Sequence, residues 1–197
     1  MWLYEKRLQF PVEISHPDGK TAQIVMSQLG GPNGEMAAAL RYLSQRYTMP
    51  YPCIQALLTD IGTEELAHVE IISTMVYQLT KGISIEEIKA TGLDKYFTDH
   101  TLGIYPANSA GIPFTAAYFN SVGDPIADLT ENMAAEQKAR VTYDNILDLS
   151  DNAEVNKVIT FLREREVVHY QRFAEGLEYV KSKLNKDNYY AYNPALK

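Results

Sequence analysis

Apolar positions recur with a helical period through most of the chain. Ile24, Val25 and Leu29, then Met36, Ala37, Leu40 and Leu43, mark a first helix over 21–47. Gly30-Gly31-Pro32-Asn33-Gly34 interrupts it. Propensity alone breaks the helix there. The reading adopted is a kinked, continuous helix whose glycines let another backbone come close. Ile54, Leu57, Leu58, Ile61, Leu66, Val69, Ile72 and Val76 give a second helix over 53–80, stopping near Gly82. Asp124-Pro125 opens a third over 124–149, with Asp as N-cap and Pro at the first helical position. Val158, Phe161, Leu162, Val168, Phe173, Leu177 and Val180 mark a fourth over 152–184, started by Asp151 with Glu154.

The intervals are less regular. Residues 1–19 read as an extended arm, punctuated by Pro11, Pro17, Asp18 and Gly19. Residues 81–121 form a crossover with one short surface helix over 83–90, where Ser84 and Glu87 make a capping-box pattern. The rest of it, through Gly103, Pro106, Gly111 and Pro113, reads as loop. So long a connection is unusual, and a helix bundle with one crossover accommodates it. Residues 185–197 read as a polar, tyrosine-rich arm. The expected fold is all-α: one domain over 1–197, a four-helix bundle with a long crossover between the second and third helices, and extended arms at both ends.

Composition narrows the function. A hydrophobic fraction of 46% over 197 residues supplies a full-sized core. The net charge of −7 makes nucleic acid an unsuitable partner. No stretch has the length of a membrane-spanning helix, and Met-Trp-Leu-Tyr-Glu-Lys-Arg lacks the apolar run of a signal peptide, so the expectation is a protein made in the cytoplasm with no membrane partner. The single cysteine, Cys53, forms no intrachain disulfide and reads as a small buried apolar residue.

Candidate chemistry lies in a repeat. Glu65 and His68 are three apart, as are Glu166 and His169, which puts each pair on one helix face, one turn apart. Glu35 precedes Glu65 by 30 residues, and Glu136 precedes Glu166 by 30. Each lone glutamate has a tyrosine seven residues on, Tyr42 and Tyr143. The order Glu, Tyr, Glu-x-x-His therefore occurs twice in one register, each time across a helical hairpin. Two such hairpins packed about a pseudo-twofold axis bring four glutamates and two histidines together, the ligand set of dinuclear carboxylate bundles. Two divalent cations offset the four negative charges, and oxygen with imidazole suits manganese or iron.

The segments that carry this repeat resemble the manganese catalase family: Gln28-Leu-Gly-Gly-Pro-Asn-Gly-Glu35, Glu64-Glu-Leu-Ala-His-Val-Glu70, the stretch from Asn132 to Tyr143, and Arg165-Glu-Val-Val-His169. The likeness spans nearly the whole chain and looks most like the shorter, spore-coat members of that family, the CotJC-type proteins. It implies a ferritin-like bundle and a dinuclear manganese enzyme that turns hydrogen peroxide into water and O₂. It implies that Glu35, Glu65 and His68 serve one manganese, that Glu136 and His169 serve the other, and that Glu65 bridges both. Glu166 would be a general acid/base beside the metals, whereas the repeat alone makes it equivalent to Glu65. Tyr42 would orient a ligand carboxylate from outside, and Tyr143 is its counterpart. The resemblance further implies a homo-oligomer, with a hexamer expected, and a place in the spore coat among other coat proteins. The likeness to the shorter members implies a chain without the long C-terminal extension of the larger catalases. Two other readings stay open: a coat building block whose metal site serves stability and whose terminal aromatics (Trp2, Tyr4, Tyr189, Tyr190, Tyr192) serve packing or cross-linking, and a ferritin-like di-iron oxidase.

Overall fold

A computed structural model describes residues 7–184. These residues form seven α-helices: α1 (Gly19–Gly30), α2 (Glu35–Gln45), α3 (Pro52–Thr80), α4 (Ile85–Thr91), α5 (Asp94–His100), α6 (Pro125–Leu149) and α7 (Ala153–Ser182). A 3₁₀ turn covers Ala116–Tyr118. Among the described residues no β-strand forms, and Ala107 pairs with Pro113 in an isolated bridge. The bundle is two hairpins. Helices α1 and α2 both pack on α3, and α6 packs on α7. Helix α3 then meets α7 across the middle.

The first helix is broken, not kinked. Gly31 ends α1 and Gly34 caps α2, and both are extended. Pro32 between them has no N–H to continue the ladder. The expected close approach of another backbone is real: a Cβ on Gly30 would lie 2.4 Å from the amide nitrogen of Ala107 and from the carbonyl carbon of Pro106. The break also makes Glu35 the first residue of α2, where the positive end of the helix dipole favours a carboxylate.

Most of the other boundaries agree with the pattern. Asp124 accepts hydrogen bonds from the amides of Ile126 and Ala127 and starts α6 as expected. Asn152, not Asp151, caps α7, because its side chain takes the amides of Glu154 and Val155. Ser84 caps α4, yet Glu87 does not close the capping box; its Oε1 accepts from the Gly19 amide at 3.1 Å and ties α4 to α1. The crossover holds one helix more than its loop-like composition suggested. Leu93 and Tyr96, buried at the start of α5, are its apolar stripe. Cys53 is exposed near the start of α3, so the expectation of a buried thiol is wrong; Ile54 beside it faces the core instead.

The N-terminal arm is extended over 7–18 and fastened side to side. The Ile14 amide donates to Gln78, Gln78 donates to the Val12 carbonyl, and Ser15 donates twice to Glu154. Phe10 stacks on Phe161 of α7 at 4.4 Å. The expected C-terminal arm, with Tyr189, Tyr190 and Tyr192, lies outside the described residues, as do Trp2 and Tyr4. No helix among the described residues is long and apolar enough to cross a membrane.

Candidate metal centre

A polar layer divides the core. On one side lie Val25, Ile72, Met75, Ile146, Ile159 and Leu162 with their neighbours; on the other lie Ile54, Leu58, Ile61, Leu129, Phe173 and Leu177. Between them α3 carries Glu65 and His68, α7 carries Glu166 and His169, α6 carries Glu136, and α2 opens with Glu35. All six are buried, at 2% exposure or less. The hairpin register of the sequence therefore brings together all six residues it singled out.

Their arrangement is nearly twofold. Nδ1 of His68 lies 2.7 Å from Glu65 Oε2 and 3.6 Å from Glu35 Oε2. Nδ1 of His169 lies 2.8 Å from Glu65 Oε1 and 3.6 Å from Glu136 Oε2. Glu65 thus stands between the two imidazoles with one oxygen toward each. The rings stack at 5.7 Å between centroids. Two overlapping groups of ligand atoms result, one of Glu35, Glu65, His68 and Glu166, the other of Glu65, Glu136, Glu166 and His169, each spread over no more than 4.8 Å. Glu166 belongs to both groups, as Glu65 does.

The tyrosines cross between the halves. Tyr42 of the first hairpin donates to Glu136 of the second, and Tyr143 of the second donates to Glu35 of the first. Both are fully buried, one on each side of the polar layer. Each tyrosine follows one lone glutamate by seven residues in the sequence but donates to the other one in the fold.

Charge in this layer is uneven. Burial alone would keep Glu65 neutral, but the two histidines outweigh it and hold its carboxyl well below the usual range. Burial also opposes a charge on the imidazoles, yet Glu65 and the neighbouring carboxylates push His68 up to about 10 and His169 up to about 12. Burial, with Glu65 beside it, raises Glu35 to about 7. Glu166 is raised well above the usual carboxylate range, first by burial and then by Glu136, Glu65 and Glu35 around it. Burial likewise raises both tyrosines, and each keeps its proton for the bond it donates.

The donor set fits a pair of divalent cations. Glu65 Oε1, Glu136 Oε2, Glu166 Oε1 and His169 Nδ1 are buried and make no hydrogen bond. Glu65 Oε1 and His169 Nδ1 approach to 2.8 Å without hydrogen-bond geometry, which is how two groups aimed at a shared third partner are placed. Buried polar atoms without partners are costly in a packed core, so four in one layer call for a ligand. Oxygen and imidazole without thiolate suit manganese or iron.

Three residues of this region carried no role in the sequence reading. Glu64, on the outer side of the histidines, accepts from His169 Nε2 at 3.0 Å, from Arg165 at 2.7 and 3.2 Å and from Gln9 at 2.7 Å. Burial works to raise it, but these bonds outweigh that and hold its carboxyl well below the usual range. Glu64 stands four positions before His68, so the helical period gave a signal for it. Gln9 and Arg165 gave none.

A bundle of two helical hairpins with a crossover and a buried carboxylate–histidine layer defines a ferritin-like fold with two adjoining groups of residues that could hold metal ions. The family model for manganese containing catalase matches residues 1–190, and the chain belongs to that family. It is 51% identical to Protein CotJC of Bacillus subtilis over 94% of this chain and 98% of that one. It is 37% identical to a probable manganese catalase of Clostridium acetobutylicum, over 95% of this chain and 84% of that one. Among solved structures it superposes on KatB, a manganese catalase from Anabaena, with a TM-score of 0.84 and 31% identity, over 94% of this chain and 83% of that one.

Proposed function

We propose that the protein is a dinuclear manganese catalase that disproportionates two hydrogen peroxide molecules to two water molecules and O₂. The observation that carries the reading is the pair of overlapping ligand groups in one buried layer, with unpartnered donor atoms turned toward each other. Glu35, Glu65 and His68 would hold one manganese ion, and Glu136 and His169 the other, with Glu65 shared. The manganese pair, when bound, supplies the two-electron redox chemistry that carboxylates and imidazoles lack. The chain supplies the rest. Tyr42 and Tyr143 fix Glu136 and Glu35 by donating to them. The apolar layers on both sides keep bulk water from the site.

Glu166 is the proton carrier in this reading. Unlike Glu65, which sits between two imidazoles, it faces Glu136, Glu65 and Glu35, and its Oε1 has no hydrogen-bond partner. Its surroundings favour the protonated acid, so Glu166 would give its proton to the oxygen that leaves as water and regain one from the hydrogen peroxide that is oxidised. The test is Glu166→Gln, with manganese content and oxygen release measured together. Retained manganese with oxygen release down by at least about 100-fold supports the assignment. Lost manganese would make Glu166 a ligand, the role its place in both ligand groups allows.

The same reading takes residues 1–197 as one functional domain, a homo-oligomer with a hexamer as the expected state, and a place in the spore coat. The likeness to Protein CotJC supports the last of these. Light scattering on the purified protein tests the oligomer, and fractionation of spores tests the location. Iron would fit the same donor set and give an oxidase instead, so metal analysis of protein purified without added metal separates the two.

A further inference from the structure

We propose that Glu64 is the positioning residue of the centre: by accepting the outward Nε2–H of His169 it fixes the tautomer in which Nδ1 is free to bind a divalent cation. This rests on the reading of His169 as a metal ligand and adds a residue to it.

The geometry is specific. Each imidazole turns Nδ1 inward, toward Glu65 at 2.7 Å for His68 and 2.8 Å for His169. Nε2 of each turns outward, and both outward nitrogens face one carboxylate. Glu64 Oε2 lies 3.0 Å from His169 Nε2, and Glu64 Oε1 lies 3.8 Å from His68 Nε2. The contact with His169 is a hydrogen bond, while the one with His68 is too long to be one. An imidazole ligand is neutral, with a proton on the nitrogen that does not bind the metal. A carboxylate at Nε2 holds that proton there, keeps the lone pair on Nδ1, and makes that nitrogen more basic.

Glu64 is itself anchored from two directions. Arg165, one turn before His169 on α7, grips both of its oxygens at 2.7 and 3.2 Å. Gln9 of the N-terminal arm donates to Oε1 at 2.7 Å. The next residue of the arm, Phe10, stacks on Phe161, and Phe161 sets its edge against His68. The arm therefore covers the outer side of the histidine layer and ties the carboxylate to it. An ordinary surface ion pair needs Arg165 alone. The bond to His169 and the anchoring from the arm mark a carboxylate held for the imidazole.

The test uses full-length protein stripped with chelator, with Mn(II) binding followed by the electron paramagnetic resonance of free Mn(II). Wild type is expected to take up two ions. Glu64→Met is expected to lower affinity by about 10–100-fold while helical content stays as in wild type. Glu64→Gln, whose carbonyl oxygen still accepts from Nε2, is expected to recover part of that loss. A second readout follows the tautomer directly. In the zinc-loaded protein, a diamagnetic stand-in, ¹⁵N–¹H spectra of His169 should show a slowly exchanging Nε2 proton in wild type and Glu64→Gln, and a fast-exchanging one in Glu64→Met. Unchanged affinity and an unchanged His169 proton in a folded Glu64→Met protein would overturn the proposal. Failure of wild type to bind two ions would overturn the metal reading beneath it, a different outcome. If Glu64→Met does not fold, Arg165→Met decides: it frees the carboxylate without touching the imidazole, and unchanged Mn(II) affinity there would count against positioning.

Discussion

The crossed tyrosines make the most particular prediction. Tyr143→Phe removes the donor to Glu35, and Tyr42→Phe removes the donor to Glu136. Both side chains are fully buried, so no water replaces the lost hydroxyl and a ligand carboxylate is left one donor short. A buried hydrogen bond to a charged acceptor contributes about 1.5–3 kcal/mol. If the loss falls on metal binding, that is a factor of about 10–150 in affinity. The crossing says where it falls: Tyr143→Phe weakens the Glu35–His68 half, and Tyr42→Phe weakens the Glu136–His169 half. The halves are read separately in single-site backgrounds. In His169→Ala protein, Mn(II) titration should show the full loss for Tyr143→Phe and a change within about threefold for Tyr42→Phe. In His68→Ala protein the order reverses. Each tyrosine acting on the half that contains its own hairpin, or both acting equally, would refute the reasoning.

The remaining predictions concern the helix break, the caps and protons. Gly30→Ala puts a methyl carbon 2.4 Å from backbone atoms of Pro106 and Ala107, which cannot yield as a side chain would; a loss of about 3 kcal/mol or more in chemical denaturation is expected, and wild-type stability would disprove the close approach. Asp124→Ala removes the acceptor of two amides at the start of α6 and should cost about 1 kcal/mol in the same assay. In chelator-stripped protein His68 and His169 hold protons at neutral pH, since their carboxylate neighbours push them up to about 10 and about 12. Manganese takes the neutral nitrogen, so uptake expels those protons and affinity rises with pH, by about tenfold per pH unit for each proton displaced. Calorimetry in buffers of different ionisation heat should show proton release between pH 6 and 8, and pH-independent uptake would contradict the charge assignment.

The three long helices α3, α6 and α7 and the six residues of the polar layer were legible in the sequence, because helical period and hairpin register are set locally and then repeat. Glu35 with Glu65 and Glu136 with Glu166 share one spacing, and that spacing alone carries them to one height in the bundle. What was not legible depends on contacts between the hairpins or with the crossover. Propensity marks Gly30–Gly34 as a break, but not that the backbone lying against Gly30 is Pro106–Ala107 of the crossover. Tyr42 and Tyr143 each reach the glutamate of the other half, a partnership that no spacing within one helix contains. The role of Glu64 depends on Gln9, 55 positions away, and on Arg165, 101 positions away. Cys53 sits on the exposed side of the first turn of α3, where an apolar-looking thiol gives no sign of which way it faces.

The central claim is that the buried layer holds two manganese ions and decomposes peroxide. The most direct measurement is oxygen release from hydrogen peroxide, with metal content determined on the same sample, for protein prepared without metal, with Mn(II) and with Fe(II). The account predicts two manganese ions per chain and steady evolution of one O₂ for every two peroxide molecules consumed, in the manganese sample alone. Two manganese ions bound with no oxygen released would contradict it.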